Sequence, residues 1–414
     1  MYPQFAGPMT PAPLPGPPGP YRPASSGRAL RIFTWIAMVC GALIWVCSML
    51  VFAYEGPATA IVSIGLALLP LPIVLAVFMW IDRVEPEPGR YLLMAFGWGA
   101  TFSVMIALTL EEILTPLVGE TASPYLVAPV VEEGAKALIL FFLVWFRKAE
   151  FDGVVDGVVY AGFTAAGFAF TENILYIANA YQTGTKGGEG AITIAPGGVD
   201  DALLTFVMRC VFTPFAHPLF TIMTGIGLGI AVLSRHTAVR VLAPLLGYTL
   251  AVALHGLWNF SATFGVILLT YGLIMIPLFI GMGIFIAWSR KQDLKVVAAH
   301  LPAYAQTGWI AAWELPALCT LQGRKAARRW ANAVYGKQGG QAMADLQQAA
   351  TELAFLHRRA NAGQHLNDFP AKQQELLAKL TDRKRMLAPA ASYQPFGVMA
   401  APMHAPGPMP PTYR

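Results

Sequence analysis

Residues 126–137 read LVAPVVEEGAKA, and this stretch decides how the chain is organised. It places two adjacent carboxylates, Glu132 and Glu133, and the ammonium group of Lys136 inside a run that otherwise has the length and apolar character of a membrane-spanning helix. An ionised group in hydrocarbon persists only where it is paired, faces a watery cavity or binds a metal. Glu132 and Lys136 lie one helical turn apart on one face, whereas Glu133 points about a quarter-turn away. We therefore expect Lys136 to pair with Glu132, and Glu133 to face a partner helix.

The composition of the whole chain is that of a membrane protein. Of its 414 residues, 56% are apolar and 12% are charged, and the mean hydropathy is +0.54. The formal net charge is +5, with the basic residues near the ends of apolar blocks and in the C-terminal region. That distribution suits membrane topology rather than nucleic-acid binding. The four cysteines show neither CxxC spacing nor a disulfide framework.

Long apolar blocks predict an all-α fold, a polytopic transmembrane bundle of about eight helices. The predicted spans are 32–54, 58–81, 91–114, 124–146, 153–181, 202–233, 239–260 and 262–288. Connections rich in arginine and lysine alternate with connections poor in them, and by the positive-inside rule both termini are cytoplasmic.

The predicted domains follow from changes in composition along the chain. Proline-rich ends predict disordered tails, and leucines at helical spacing after the last apolar block predict a cytoplasmic helical region. The predicted parts are a tail at 1–27, a transmembrane domain at 28–290, a helical region at 291–387 and a second tail at 388–414.

Polar side chains recur in four consecutive predicted spans, at similar depth in the outer half of the bilayer. They are Glu132, Glu133, Glu172, Asn173, Arg209, His217, His255 and Asn259. Each has a structural explanation by itself, because histidine and asparagine in membranes commonly hydrogen-bond a neighbouring helix. Their shared depth favours one functional cluster. The partner of Arg209 stays open between Glu172, Glu132 and a substrate carbonyl.

A glutamate and two histidines suit zinc, with a water in the open position. A second glutamate then takes a proton from that water and gives it to a leaving amine. In a metal-free alternative, a glutamate activates the water while histidine and asparagine form an oxyanion site. The chain has no H-E-x-x-H motif. Glu111 and Glu112 end an apolar block before Pro116, and we interpret them as boundary residues.

Five short motifs in order carry a resemblance to a known family. They are E-E-x-x-K from Glu132, D-G-x-x-Y from Asp156, F-x-x-x-E-N from Phe168, R-x7-H from Arg209 and H-x-x-W-N from His255. Over about residues 91–260, the chain resembles the PrsW family of intramembrane proteases, which is related to the type II CAAX prenyl endopeptidases.

The resemblance implies a hydrolase of the bacterial plasma membrane, either a metalloprotease or a glutamate-dependent endopeptidase. We expect Glu132 or Glu133 to act as general base and zinc to be the cofactor. The expected zinc ligands are Glu172, His217 and His255. Asn259 completes the expected catalytic set, at a position where some relatives carry aspartate. The expected partners are a membrane-anchored protein substrate and the lipid bilayer.

Two other functions remain as alternatives. A proton-coupled transporter or channel would use the same Glu/His cluster as a relay. The absence of a second half that repeats these motifs disfavours it. A membrane scaffold would recruit partners through its tails. The sequence leaves the substrate and the number of subunits open.

Overall fold

A computed structural model describes residues 56–83, 86–147, 151–183, 198–361 and 369–387, with single positions between 39 and 50. The predicted tails and most of the first predicted span lie outside the described residues. The α-helices are α1 (Pro57–Leu68), α2 (Leu71–Ile81), α3 (Gly89–Trp98), α4 (Val104–Val118), α5 (Ser123–Leu126), α6 (Ala128–Phe146), α7 (Val154–Thr183), α8 (Val199–Phe206), α9 (Ala216–Leu233), α10 (Thr237–Thr263), α11 (Ile267–Thr270), α12 (Ile276–Gln306), α13 (Leu315–Cys319), α14 (Leu321–Asn361) and α15 (Phe369–Met386). No strand occurs among these described residues.

Six helical segments of the described chain are long and apolar enough to cross a membrane. They are Pro57–Ile81, Gly89–Val118, Val154–Thr183, Val199–Leu233, Thr237–Thr263 and Ile267–Gln306. The predicted all-α, polytopic bundle is therefore confirmed. The predicted span at 124–146 is α6, whose 19 residues carry three charged side chains and which is not one of these six. Helix α6 packs against α4, α7, α9 and α10, which surround its polar side chains.

The described chain divides into two compact units, one ending at Asp293 and the other beginning at Leu294. In the second unit, an apolar core joins the end of α12 to α14 and α15. The leucines and alanine that sequence placed at helical spacing are all buried there, namely Leu346, Ala350, Leu353 and Leu356. The domain boundaries at 27, 290 and 387 stay predictions.

Helix α7 is the centre of the first unit. Most of its side chains are buried, and α1, α2, α3, α6 and α9 pack around it. At one end, Tyr160 of α7 joins Phe78 of α2 and Leu140 of α6 in an apolar core. This packing fixes the rotation of α7 and α6 about their axes. The polar side chains further along both helices consequently face each other.

Two glycines set the spacing between α7 and α9. A Cβ atom at Gly157 would lie 2.1 Å from the carbonyl oxygen of Gly225, and one at Gly225 would lie 2.1 Å from that of Gly157. Only hydrogen fits at either position, so the two backbones are in direct contact. Small residues at such crossings allow close helix packing in membranes, where van der Waals contact drives association.

We expect Gly157→Ala and Gly225→Ala each to lower the free energy of unfolding by about 1–3 kcal/mol, because the added methyl group forces the helices apart. Gly97→Ala is the control, since a Cβ at Gly97 has no heavy atom within 4 Å. Unfolding curves of the three variants, recorded in detergent, measure the effect. Equal stability of Gly157→Ala and Gly97→Ala would contradict this packing.

Candidate active site

Lys136 is the cation of the buried cluster, and it contacts both glutamates. Its Nζ lies 3.0 Å from Glu132 Oε2 and 2.9 Å from Glu133 Oε1. It also lies 3.7 Å from the centre of the Phe168 ring, a cation–π contact. Glu133 and Lys136 are fully buried, and Glu132 is 6% exposed. The expectation that Lys136 pairs with Glu132 alone was too narrow, because positions three and four residues earlier on a helix are both within its reach.

Glu133 joins α6 to two further helices. Thr221 Oγ1 of α9 donates to its Oε2 at 2.7 Å, and His255 Nδ1 of α10 lies 3.2 Å from its Oε1. With Lys136, three groups therefore surround this carboxylate. Glu133 faces its partner helices as expected, but its oxygens are occupied. Glu132 differs, because among the residues that the structure describes its Oε1 has no hydrogen-bond partner.

Glu172 belongs to a second ion pair, on α7. Arg209 donates from Nη2 to Glu172 Oε2 at 2.5 Å and from Nε to Asn173 Oδ1 at 2.9 Å. The guanidinium also lies 3.8 Å from the centre of the Tyr176 ring. Arg209 is carried by a π-helical turn, Val207–Phe212, between α8 and α9. Of the partners that the sequence left open, Glu172 is the one that the structure places at Arg209.

The two histidines meet between these carboxylates. Their ring centres are 5.1 Å apart, with the planes nearly perpendicular at 88°. His217 Nε2 lies 2.7 Å from Glu172 Oε2, and its Nδ1 lies 3.4 Å from Lys136 Nζ. His255 Nε2 points toward Glu132, at 3.9 Å from Oε2. The rings of Phe168 and Phe220 pack against the imidazoles and form apolar walls.

Glu132, His217 and His255 together have the chemistry of a metal site. One ligand atom from each lies within 4.8 Å of the other two, and in the described part of the chain no other group of three or more meets this condition. Two imidazole nitrogens and one carboxylate oxygen are a donor set that zinc accepts. Glu133 faces Nδ1 of His255 and Glu172 faces Nε2 of His217, which is the usual second contact of a metal-ligating histidine. The nitrogens left for an ion are His255 Nε2 and His217 Nδ1, and the latter now lies 3.4 Å from Lys136 Nζ. The side chains present therefore fit such an ion.

The predicted ligand set contained Glu172 in place of Glu132. The structure brings both glutamates to the histidines, but Glu172 is held by Arg209 through the same Oε2 that faces His217, whereas the cation at Glu132 Oε2 is Lys136 of its own helix. The side chain of Asn259 hydrogen-bonds the backbone and not the cluster: its Nδ2 donates to Pro124 O at 2.8 Å. The predicted roles of Glu172 and Asn259 stay predictions.

Glu111 is on the face of α4 that packs toward this cluster, although the sequence interpretation treats it together with Glu112. Val104, Ala107 and Leu114 of α4 pack against α6 and α7, and the spacing of three to four residues places Glu111 on the same stripe. The charged groups that act on it are Glu132, Glu172 and Lys136. Glu112 is exposed. The stripe Ala107–Glu111–Leu114 was the available signal, and reading Glu111 as a boundary residue missed it.

The class defined by this geometry is a polytopic helical membrane protein with a carboxylate–imidazole cluster built from consecutive helices. Residues 87–282 match the model of a family described as PrsW family intramembrane metalloprotease, and all five motifs lie within them. The resemblance found in the sequence is confirmed over this segment, which is just under half of the chain.

Known relatives support this assignment. The chain is 40% identical over 116 residues to a protein named Protease PrsW from Clostridioides difficile (strain 630), covering 26% of this chain and 48% of that protein. It is 34% identical over 131 residues to Protease PrsW of Oceanobacillus iheyensis, covering 32% and 50%. Protease PrsW of Bacillus subtilis (strain 168) is 29% identical over 206 residues, covering 49% and 83%. The chain thus spans about half the length of the first two relatives. No solved structure matches the chain.

We expect Lys136→Met to lower the free energy of unfolding by about 3–5 kcal/mol, because it leaves two buried carboxylates without their ammonium partner. Adding Glu133→Gln to that variant should restore part of the loss, since it removes one of the two charges. Equilibrium unfolding in mixed micelles measures both. Lys291→Met, at an exposed lysine, is the matched control. A Lys136→Met protein as stable as the control variant would refute the shared counter-ion.

Proposed function

We propose that this chain is an intramembrane endopeptidase that hydrolyses a peptide bond of a membrane-anchored protein. The observation that carries the proposal is Glu132, a carboxylate with one open oxygen beside two imidazoles, within a bundle of membrane-length helices. The relatives named Protease PrsW support the same reaction class. Peptide hydrolysis needs a base for water and donors for the carbonyl oxygen.

Glu132 Oε1 is the atom proposed to hold the attacking water and take its proton. The water oxygen bonds to the scissile carbonyl carbon, the carbon–nitrogen bond breaks, and Glu132 delivers the proton to the leaving amine. Glu133 is less suited to this role, because Lys136, His255 and Thr221 already surround its oxygens. Lys136 balances the charge of both glutamates and keeps the base in place.

His217 and His255 are proposed to bind and orient the scissile group. Glu172 holds His217, and Glu133 holds His255, so neither ring is free to turn. Arg209 in turn fixes Glu172. Glu132 would have a different role in a zinc-bound form: zinc held by Glu132, His217 and His255 would itself lower the pKa of its bound water to about 7 and polarise the carbonyl, whereas without zinc Glu132 Oε1 is the base. Phe168 and Phe220 exclude bulk water from the imidazoles.

The substrate class follows from the surroundings of the cluster. Exposed apolar side chains cover the outer faces of the helices around it, for example Leu138 of α6 and Leu250 of α10. A substrate that reaches Glu132 through such surroundings is itself anchored in the membrane. By the positive-inside rule, the cleaved bond lies toward the outer half of the bilayer, and both chain termini are cytoplasmic. The relatives named Protease PrsW are bacterial, which supports a bacterial plasma membrane as the proposed location.

We expect Glu132→Gln to reduce cleavage by about 10²–10⁴-fold, because glutamine cannot accept the proton of water. The purified chain in proteoliposomes would be mixed with a panel of single-span membrane proteins, and new termini identified by mass spectrometry. Glu112→Gln is the matched control, as an exposed carboxylate of α4. A folded Glu132→Gln variant that cleaves at the wild-type rate would exclude Glu132 as the base.

A further inference from the structure

Arg290 is a buried arginine at the opposite end of α7 from Glu172, among the helix ends that carry Arg83, Arg90 and Arg147. Only 8% of its surface is exposed, and its guanidinium lies 4.4 Å from the centre of the Trp80 ring. One turn earlier on α12, Ile286 packs into the apolar core that contains Phe78 of α2. That contact fixes the face of α12 from which Arg290 projects.

The positive charge at Arg290 is incompletely balanced. Its Nε is buried and has no hydrogen-bond partner among the described residues. The charged groups that act on it are Arg83, which repels it, and Asp293, which attracts it. Asp82 is also near this end, where its Oδ2 accepts the backbone N–H of Glu87 at 2.9 Å and its Oδ1 is buried without a hydrogen-bond partner among the described residues. Asp82 is not among the groups that act on Arg290, so the unpartnered Nε of Arg290 is a donor that an added anion would use.

An apolar groove lies next to Arg290. It has a volume of about 430 Å³ and is lined on one face of α2 by Pro72, Ile73, Ala76, Val77 and Trp80. The eight residue steps from Pro72 to Trp80 span about 12 Å along the helix. Trp80 belongs to both features, because one side of the groove is formed by the same ring that Arg290 covers.

We propose that the groove and the arginine pair bind one anionic phospholipid. The phosphate lies at Arg83 and Arg290, because guanidinium groups bind phosphate with directed, charge-assisted hydrogen bonds. One acyl chain lies along Pro72–Trp80, and the indole of Trp80 marks the level of the headgroup. Arginine-rich helix ends are the predicted cytoplasmic side, where anionic lipids attract basic residues. A free phosphate ion would use the arginines and leave the groove unused.

The site is tested on the full-length, delipidated protein by native mass spectrometry. The probes are phosphatidylglycerol, phosphatidylcholine with the same chains, and inorganic phosphate. We expect wild type to retain phosphatidylglycerol at least about fivefold better than phosphatidylcholine, a difference of about 1 kcal/mol. Arg290→Gln should abolish this preference. Arg240→Gln, at an exposed arginine of α10 on the same predicted side, should keep it.

The groove is tested separately with Val77→Trp, which fills it without touching either arginine. Val77 is 37% exposed, so the larger ring needs no core rearrangement. We expect this variant to lose phosphatidylglycerol binding as well. Unchanged lipid binding in a folded Arg290→Gln protein would overturn the proposal. A second pair of results would also overturn it: inorganic phosphate binds as tightly as phosphatidylglycerol, and Val77→Trp binds phosphatidylglycerol as wild type does. Together these results would describe an anion site without a place for a lipid chain.

Discussion

One ammonium group shared by two neighbouring carboxylates is the interaction on which the first unit depends. Lys136 lies within 3.0 Å of oxygens of both Glu132 and Glu133, and all three side chains are buried. Removing such ions from water costs several kcal/mol each, and only a close partner in good geometry offsets that cost. The spacing Glu-Glu-x-x-Lys provides this geometry within a single helix. Both ion pairs of Lys136 are therefore made within one helix, without a group from any other helix.

The remaining contacts of the cluster are made by carboxylates that stay charged. Glu133 uses its oxygens on Thr221 and His255, which ties α6 to α9 and α10. Glu172 uses one oxygen, Oε2, on both Arg209 and His217, which ties α7 to the helices after it. These two carboxylates orient the imidazoles, and Glu132 keeps the open oxygen. Glu133 and Glu172 thereby have a structural role, and Glu132 is available for chemistry.

The sequence was sufficient to predict the helices and most of the ionisable side chains that the structure brings together, because membrane spans and ionisable groups within them are local signals. The sequence was insufficient to predict which of these side chains pair with each other. Whether Arg209 meets Glu172 or Glu132 depends on the rotation of α7 and on the π-helical turn that carries Arg209. The contact between Gly157 and Gly225 sets the distance between α7 and α9, and no spacing within either helix shows it. Glu111 was misread because it was grouped with Glu112, whereas successive side chains of a helix point about 100° apart.

The central claim is that Glu132, His217 and His255 form one centre whose imidazoles Glu133 and Glu172 hold. Zinc content of the purified protein after dialysis against a weak chelator tests it most directly. The account predicts about one zinc per chain in wild type and loss of zinc in Glu132→Gln and His255→Ala. Glu172→Gln should still bind zinc, about 10–100-fold more weakly, because its carboxylate orients a ligand. Loss of zinc in Glu172→Gln with full retention in Glu132→Gln would contradict the account.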